Sequence, residues 1–321
     1  MLKKINTFLF VCSLYSVTGQ YDGGALWTFT DNLQPDPYQV CGLSNPKGLV
    51  NDIQEQQALS APGQYPWVVA IFSQEKLLGG GSLIAPGVVL TAASIVVNKA
   101  APEMVVRAGE WNMAHRSQQL PSEDRQVARV VRHREFLYRS GENNIALLFL
   151  VSPFELKPHI QTICLPSQEA SFDQKRCLVA GWGMVALNDK NYSNVQKKID
   201  LPIIDRAQCQ DQLRKTRLGA SFELLPTLIC AGGEKDKGEC IGDGGSALFC
   251  PMEADPTRYE QAGIVNWGIG CRQETVPAVF TSVRMFRDWI FEHLANNSNS
   301  VPFAAQLPSN MSDTRNYNNN P

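Results

Sequence analysis

Beyond its first twenty residues the sequence has no apolar run that approaches the length of a membrane-spanning helix, so no later segment reads as one. It also lacks a charge excess. Its 29 Lys and Arg face 31 Asp and Glu, a net charge of −2, which offers no basic footprint for nucleic acid or an anionic membrane. No Cys-x-x-Cys pair and no Cys/His cluster has metal-ligand spacing, which argues against a zinc site. Histidine is scarce, at four residues, and no internal repeat is visible. What is present is ordinary for a globular chain: 321 residues, 44% hydrophobic and 19% charged, enough for one large or two modest domains with a packed core.

The N-terminus carries Lys3 and Lys4, an apolar stretch from Phe8 to Val17, and the small residues of Val17-Thr18-Gly19. Residues 1–19 therefore read as a signal peptide, and the protein as secreted and extracellular. Cys12 leaves with that peptide. The remaining Cys41, Cys164, Cys177, Cys209, Cys230, Cys240, Cys250 and Cys271 form an even set, which in a secreted chain points to four disulfides of open connectivity. Sequons at Asn191, Asn296 and Asn310 are glycosylation candidates on the same route.

Residues 20–60 are rich in Asp, Gln, Gly and Pro and read as an extended leader with a single anchor at Cys41. Across 61–295 short β-branched runs, such as Trp67–Phe72 and Gly87–Leu90, alternate with Gly- and Pro-marked turns. That rhythm indicates an all-β barrel or sandwich. One helix is expected near the end, where Met285, Phe286, Trp289, Ile290, His293 and Leu294 recur at three- and four-residue spacing and form a packing face. Residues 296–321 are Asn/Ser-rich and read as a disordered tail, because such a composition cannot bury enough surface to fold.

Six ordered motifs carry a resemblance. They are Gly80-Gly81-Ser82-Leu83-Ile84 with Leu90-Thr91-Ala92-Ala93, Asn143–Leu148, Val179-Ala180-Gly181-Trp182-Gly183, Cys240–Ser246, Asn266-Trp267-Gly268, and Pro277–Thr281. Together, from about Cys41 to Leu294, they resemble the chymotrypsin/trypsin-like serine proteases. The resemblance implies an all-β fold of two six-stranded antiparallel barrels with a C-terminal helix.

Acyl transfer in that family needs a hydroxyl nucleophile, an imidazole to take its proton and a buried carboxylate to hold the imidazole. On the motifs, the base position is Ser94, the carboxylate position Asn144 and the nucleophile position Gly244. A serine hydroxyl is too weak a base near neutral pH, an amide carries no charge to stabilise an imidazolium, and glycine has no nucleophile. Ser246 lies roughly 6–7 Å further along an extended chain. His115, His133, His159 and His293 fall outside the Thr-Ala-Ala motif and read as surface or packing residues. Loss of such a triad costs on the order of 10⁶-fold in turnover, so the expectation is a protein that binds and does not cut.

Further departures follow from the same resemblance. The family's disulfide beside the catalytic histidine would join the positions of Gly79 and Ile95, so both partners are absent. Family pairing of the rest implies Cys41–Cys164, Cys177–Cys250, Cys209–Cys230 and Cys240–Cys271. Active relatives are cut before an Ile-Val-Gly-Gly start, and the new α-amino group pairs with the aspartate preceding the nucleophile. Here 48–53 reads Gly-Leu-Val-Asn-Asp-Ile with no basic residue placed for such a cut, yet Asp243 is kept. A buried unpaired carboxylate is costly, so either a mobile loop or an internal partner for Asp243 is expected. The specificity-pocket positions are Gly238, Asn266, Trp267 and Gly268, with no carboxylate at the floor and Ala278 narrowing the wall. No cofactor is required. Some relatives hold calcium in the loop that here contains Glu110, Asn112 and Glu123, which makes these candidate ligands.

Cys41-Gly42-Leu43, Ala108-Gly109-Glu110-Trp111 and Glu123-Asp124-Arg125 resemble in particular the arthropod serine protease homologues related to prophenoloxidase-activating factors. Those relatives usually carry a six-cysteine clip domain, which this chain reads as lacking. The resemblance implies an extracellular protein partner (a protease, a zymogen or a phenoloxidase-type target) in a cascade such as innate immune melanisation. A structural or reproductive-fluid glycoprotein is the alternative, and a residual endopeptidase the reading the motifs support least.

Overall fold

The β-branched runs of the first half form six strands: β1 (Val68–Ser73), β2 (Lys76–Ala85), β3 (Val88–Thr91), β4 (Met104–Ala108), β5 (Glu123–Arg132) and β6 (Ala146–Leu150). They close into an antiparallel barrel in the order β1-β2-β3-β6-β5-β4. The second half repeats the arrangement with β7 (Arg176–Gly181), β8 (Lys197–Ile204), β9 (Leu228–Gly232), β10 (Ala247–Pro251), β11 (Tyr259–Trp267) and β12 (Pro277–Ser282), closed as β10-β11-β12-β9-β8-β7. Closure removes the unpaired edges that an open sheet of this length would expose. The computed structural model describes residues 41–50, 58–115, 117–184, 191–235, 243–270 and 274–296.

Each barrel is filled by its inward-facing side chains. In β4 the alternation is plain, with Met104, Val106 and Ala108 buried and the residues between them partly exposed. Ile71, Leu83 and Leu148 complete that interior, and Val179, Leu201, Leu248 and Phe280 fill the other. A third cluster binds the barrels together through Trp67, Leu90, Leu147, Trp182, Phe249 and Ile264. Tyr65, Trp67, Phe249 and Tyr259 meet there ring to ring, with centroids 5.0 to 6.2 Å apart. Full burial of each large apolar side chain contributes roughly 1.5–3 kcal/mol.

The terminal helix, α3 (Arg287–Ala295), packs Ile290, Phe291 and Leu294 onto this inter-barrel cluster. The expected apolar face is corrected at one end. Val283–Phe286 is a 3-10 turn, and Met285 points outward with 49% of its surface exposed, while Phe286 is buried. Two further helices escaped the periodicity reading: α1 (Ala93–Val96), a single turn, and α2 (Arg206–Arg214). The latter opens on Asp205, whose Oδ1 accepts from the amides of Ala207 and Gln208 at 2.8 and 3.2 Å, and it buries Cys209 and Leu213 four residues apart.

Three disulfides are present among the described residues, Cys41–Cys164, Cys177–Cys250 and Cys209–Cys230. Cys240 and Cys271 lie outside them. The first bridge ties the leader down, and hydrogen bonds continue the tether. Gly42 N donates to Thr162 O at 2.7 Å, Tyr259 N to Gly42 O at 2.8 Å, and Arg258 to Cys41 O. Further along, Ser60 N donates to Gln196 O and Lys198 N to Ala58 O, so the chain just before the first barrel lies against the start of β8.

Candidate functional site

Ser94 sits in the one-turn α1 that follows β3, and Asn144 lies just before β6. β3 and β6 are paired from Val88↔Phe149 to Thr91↔Ala146, so their ends carry the two residues to the same place. Asn143 takes a left-handed backbone, φ 51°, which asparagine tolerates better than most residues. Asn144 is 1% exposed. Its Oδ1 accepts from Ser94 N at 2.8 Å, while its Nδ2 donates to Ser94 Oγ at 3.1 Å and to Asn266 Oδ1 at 2.7 Å.

The network closes on itself. Asn266 Nδ2 donates to Gly141 O at 2.7 Å and to Thr281 Oγ1 at 3.1 Å, and Thr281 Oγ1 donates to the Asn144 carbonyl at 3.1 Å. Asn266, expected as a specificity-pocket residue, bonds Asn144 directly and connects to Ser94 only through it. Every member of this set is a neutral amide or hydroxyl. None has a pKa suited to exchanging protons near neutrality.

The loop at Gly244 is pressed against β2. Gly80 N donates to Gly244 O at 3.0 Å, Gly245 N to Val265 O at 3.0 Å, and Ser246 N to Asp243 O at 3.0 Å. Glycine at 80 permits this contact, because a Cβ there would lie 2.1 Å from Ser246 Oγ. Ser246 is 1% exposed, and its hydroxyl has no hydrogen-bond partner among the described residues. It faces the underside of β2 and not the surface. At Gly79, one of the two positions that the resemblance pairs in a disulfide, a Cβ would meet Gly244 O at 2.3 Å and Ile95 Cδ1 at 3.1 Å, so backbone and an isoleucine side chain occupy that space.

Asp243 itself is fully buried, and its carboxylate has an internal partner. Lys197 Nζ donates to Oδ2, Gly183 N donates to Oδ1 at 3.0 Å, and Lys197 Nζ also reaches Met184 O at 3.1 Å. Of the two expectations for this aspartate, the structure takes the internal partner. Lys197 was not foreseen, although β8 carries the signal. Along Lys197–Ile204 the buried residues are Lys197, Ile199, Leu201 and Ile203, so the lysine occupies an inward-facing strand position. A charge there requires a buried partner.

The trypsin family profile matches residues 55–290 of the chain. This protein belongs to the trypsin family. Its similarity to phenoloxidase-activating factor 2 of Galleria mellonella is 40% identity over 271 residues, covering 79% of this chain and 89% of that protein. The inactive CLIP domain-containing serine protease A8 of Anopheles gambiae is 40% identical over 268 residues, 81% of this chain and 72% of its own length. The inactive CLIP domain-containing serine protease A28 of the same mosquito is 36% identical over 289 residues, 87% of this chain and 75% of its own length. Two of these three relatives bear names that mark them as inactive.

For a trypsin-family chain, the cleft between the barrels keeps a usable volume, about 520 Å³. Ser94, Asn144, Asn266, Trp267 and Gly268 line it from within. Tyr138, Arg139, Arg217 and Phe222 also line it. Tyr138 is 71% exposed and Leu137 beside it 54%, so the rim presents apolar surface to solvent. Gly238, expected at the pocket floor, lies outside the described residues. Ala278 is in β12, opposite Ala231.

The three candidate calcium ligands each make protein contacts. Glu123 is held by Lys157 at 2.5 Å and Arg125 at 2.8 Å. The Lys157 hydrogen bond, supported by Arg125, lowers its pKa below the ordinary glutamate value. Glu110 Oε1 accepts from Trp111 N at 2.9 Å, and Asn112 Oδ1 from Ala114 N at 3.1 Å. Among the described residues no group of three or more His, Cys, Asp or Glu side chains is arranged to hold a metal ion.

The histidines are dispersed. His133 packs on the rings of Phe286 and Trp289, and burial lowers its pKa. His159 is buried with Nε2 3.1 Å from Pro121 O, His293 stacks on Trp289, and His115 is exposed beside a second cavity of about 210 Å³. Of the sequons, Asn191 and Asn296 are exposed, and Asn310 lies outside the described residues. No helix among the described residues is long and apolar enough to cross a membrane.

Proposed function

We propose that this chain is a secreted, non-catalytic serine protease homologue that acts by binding a protein partner in an extracellular protease cascade, of the kind that governs phenoloxidase activation. The observation that carries the reading is the closed network of Ser94, Asn144, Asn266 and Thr281. Its groups satisfy one another's hydrogen bonds and leave no base to activate a nucleophile, while Gly244 offers none. A retained fold with an emptied reaction centre favours use of its surface. The open cleft and its exposed Leu137–Tyr138 rim supply a surface for a protein segment. The names of the relatives supply the cascade: one is called a phenoloxidase-activating factor, and two are called inactive proteases. The partner is then the protease, its zymogen or the phenoloxidase precursor.

The test is a reconstituted mixture of an insect clip-domain protease and a phenoloxidase zymogen, to which the purified chain is added. The yield of active phenoloxidase should change in proportion to the amount added, and surface plasmon resonance should show binding to one component. A chain that binds neither protein and leaves the yield untouched would remove the cascade reading and leave the structural-glycoprotein alternative.

A further inference from the structure

The pair formed by Lys197 and Asp243 is the most deeply buried ion pair among the described residues, its side chains 4% and 0% exposed. It lies where three pieces of the second barrel meet. Asp243 opens the loop that carries Gly244, Gly183 and Met184 follow β7, and Lys197 begins β8. Isolating a carboxylate from water costs far more than the loop's few hydrogen bonds return, so the loop holds this shape only if a cation meets it there. That cation comes from the interior of the chain, on a strand whose backbone is already fixed. Lys197 pairs with Leu59 across an isolated bridge, and its neighbours Gln196 and Lys198 bond to Ser60 and Ala58. Residues 58–60 of the leader therefore run alongside the strand that supplies the charge. Glycine at 183 completes the arrangement, because a Cβ there would lie 2.4 Å from the Asp243 carboxylate.

We infer that Lys197 is a positioning residue that latches the 243–246 loop in the uncut chain, so that this face of the molecule forms without proteolytic processing of the leader. The inference goes beyond the proposed function and does not depend on it, since the latch is a property of the chain by itself. No free α-amino group is needed to neutralise Asp243. A cut between residues 51 and 57 would create one and find the carboxylate already paired.

The test uses the full chain with a site-specific protease recognition sequence placed within 51–57, and hydrogen exchange at Gly244, Gly245 and Ser246 as its readout. Intact and cut protein should exchange at the same rates, whereas Lys197→Met should speed these amides about 100-fold and leave Val106 and Leu148 protected. If Lys197→Met does not fold, the neutral pair Lys197→Met with Asp243→Asn should fold and keep native exchange at the loop, because the stranded charge is gone. Three results would each overturn the inference: cutting that protects the loop about tenfold or more, a Lys197→Met protein with native loop exchange, or a double variant that stays unfolded.

Discussion

The two barrels hold their candidate-site residues in different ways. At the positions that the resemblance assigns to the reaction centre, the first barrel carries Ser94 and Asn144, both neutral. Ser94 and Asn144 meet Asn266 and Thr281 of the second barrel through neutral hydrogen bonds, and the disulfide position at Gly79 and Ile95 is filled by close packing against Gly244. The second keeps its charge. Asp243 remains, fully buried, with Lys197 drawn in to meet it, and two disulfides, Cys177–Cys250 and Cys209–Cys230, stay within that barrel. The difference separates reaction from shape. At the positions the resemblance assigns to proton transfer, neutral groups satisfy one another, whereas the buried carboxylate of the second barrel is met by a lysine.

If the first barrel's site is truly neutral, restoring a carboxylate there should do harm. Asn144→Asp places a charge at a 1% exposed position with no cation in contact, unlike Asp243 beside its lysine. The expected cost at neutral pH is about 3–5 kcal/mol, measured by urea denaturation. The sign with pH follows. A carboxylate stranded by burial has a folded-state pKa above the unfolded one, so the penalty is full at neutral pH and shrinks as acid protonates it. Equal stability of the variant and the native chain at pH 7 would show that the network tolerates charge and would blur the contrast. Asn144→Ala should cost less, about 1–3 kcal/mol, because it removes the partner of the Ser94 amide and of Asn266 Oδ1 without adding a charge.

Much of this was legible in the sequence because it depends on local pattern. Short alternating runs indicate an all-β chain, the resemblance carried by the ordered motifs implies two six-stranded barrels, and the closed barrels agree with both. The motif register assigns the triad positions to 94, 144 and 244, and the structure brings Ser94 and Asn144 into hydrogen-bond contact. What stayed hidden depends on contacts distant in the chain. Asn266 joins Asn144 across 122 positions, so its amide could be assigned to a pocket but not to this network. Lys197 lies 46 positions before Asp243, and no local motif links the two. Only the inward phase of β8 marks it as buried. Met285 fitted the helical period of α3 yet falls in the 3-10 turn before it, where three residues per turn rotate it outward. α2 was missed because its buried face is only Cys209 and Leu213, too sparse a period to stand out.

The central claim is that no hydroxyl in this protein is activated for acyl attack. The direct measurement is labelling of the folded, purified chain by a fluorophosphonate probe, compared with a heat-denatured control and with an active trypsin. The account predicts no labelling above the denatured control. Stoichiometric labelling that disappears in Ser94→Ala or Ser246→Ala would contradict it.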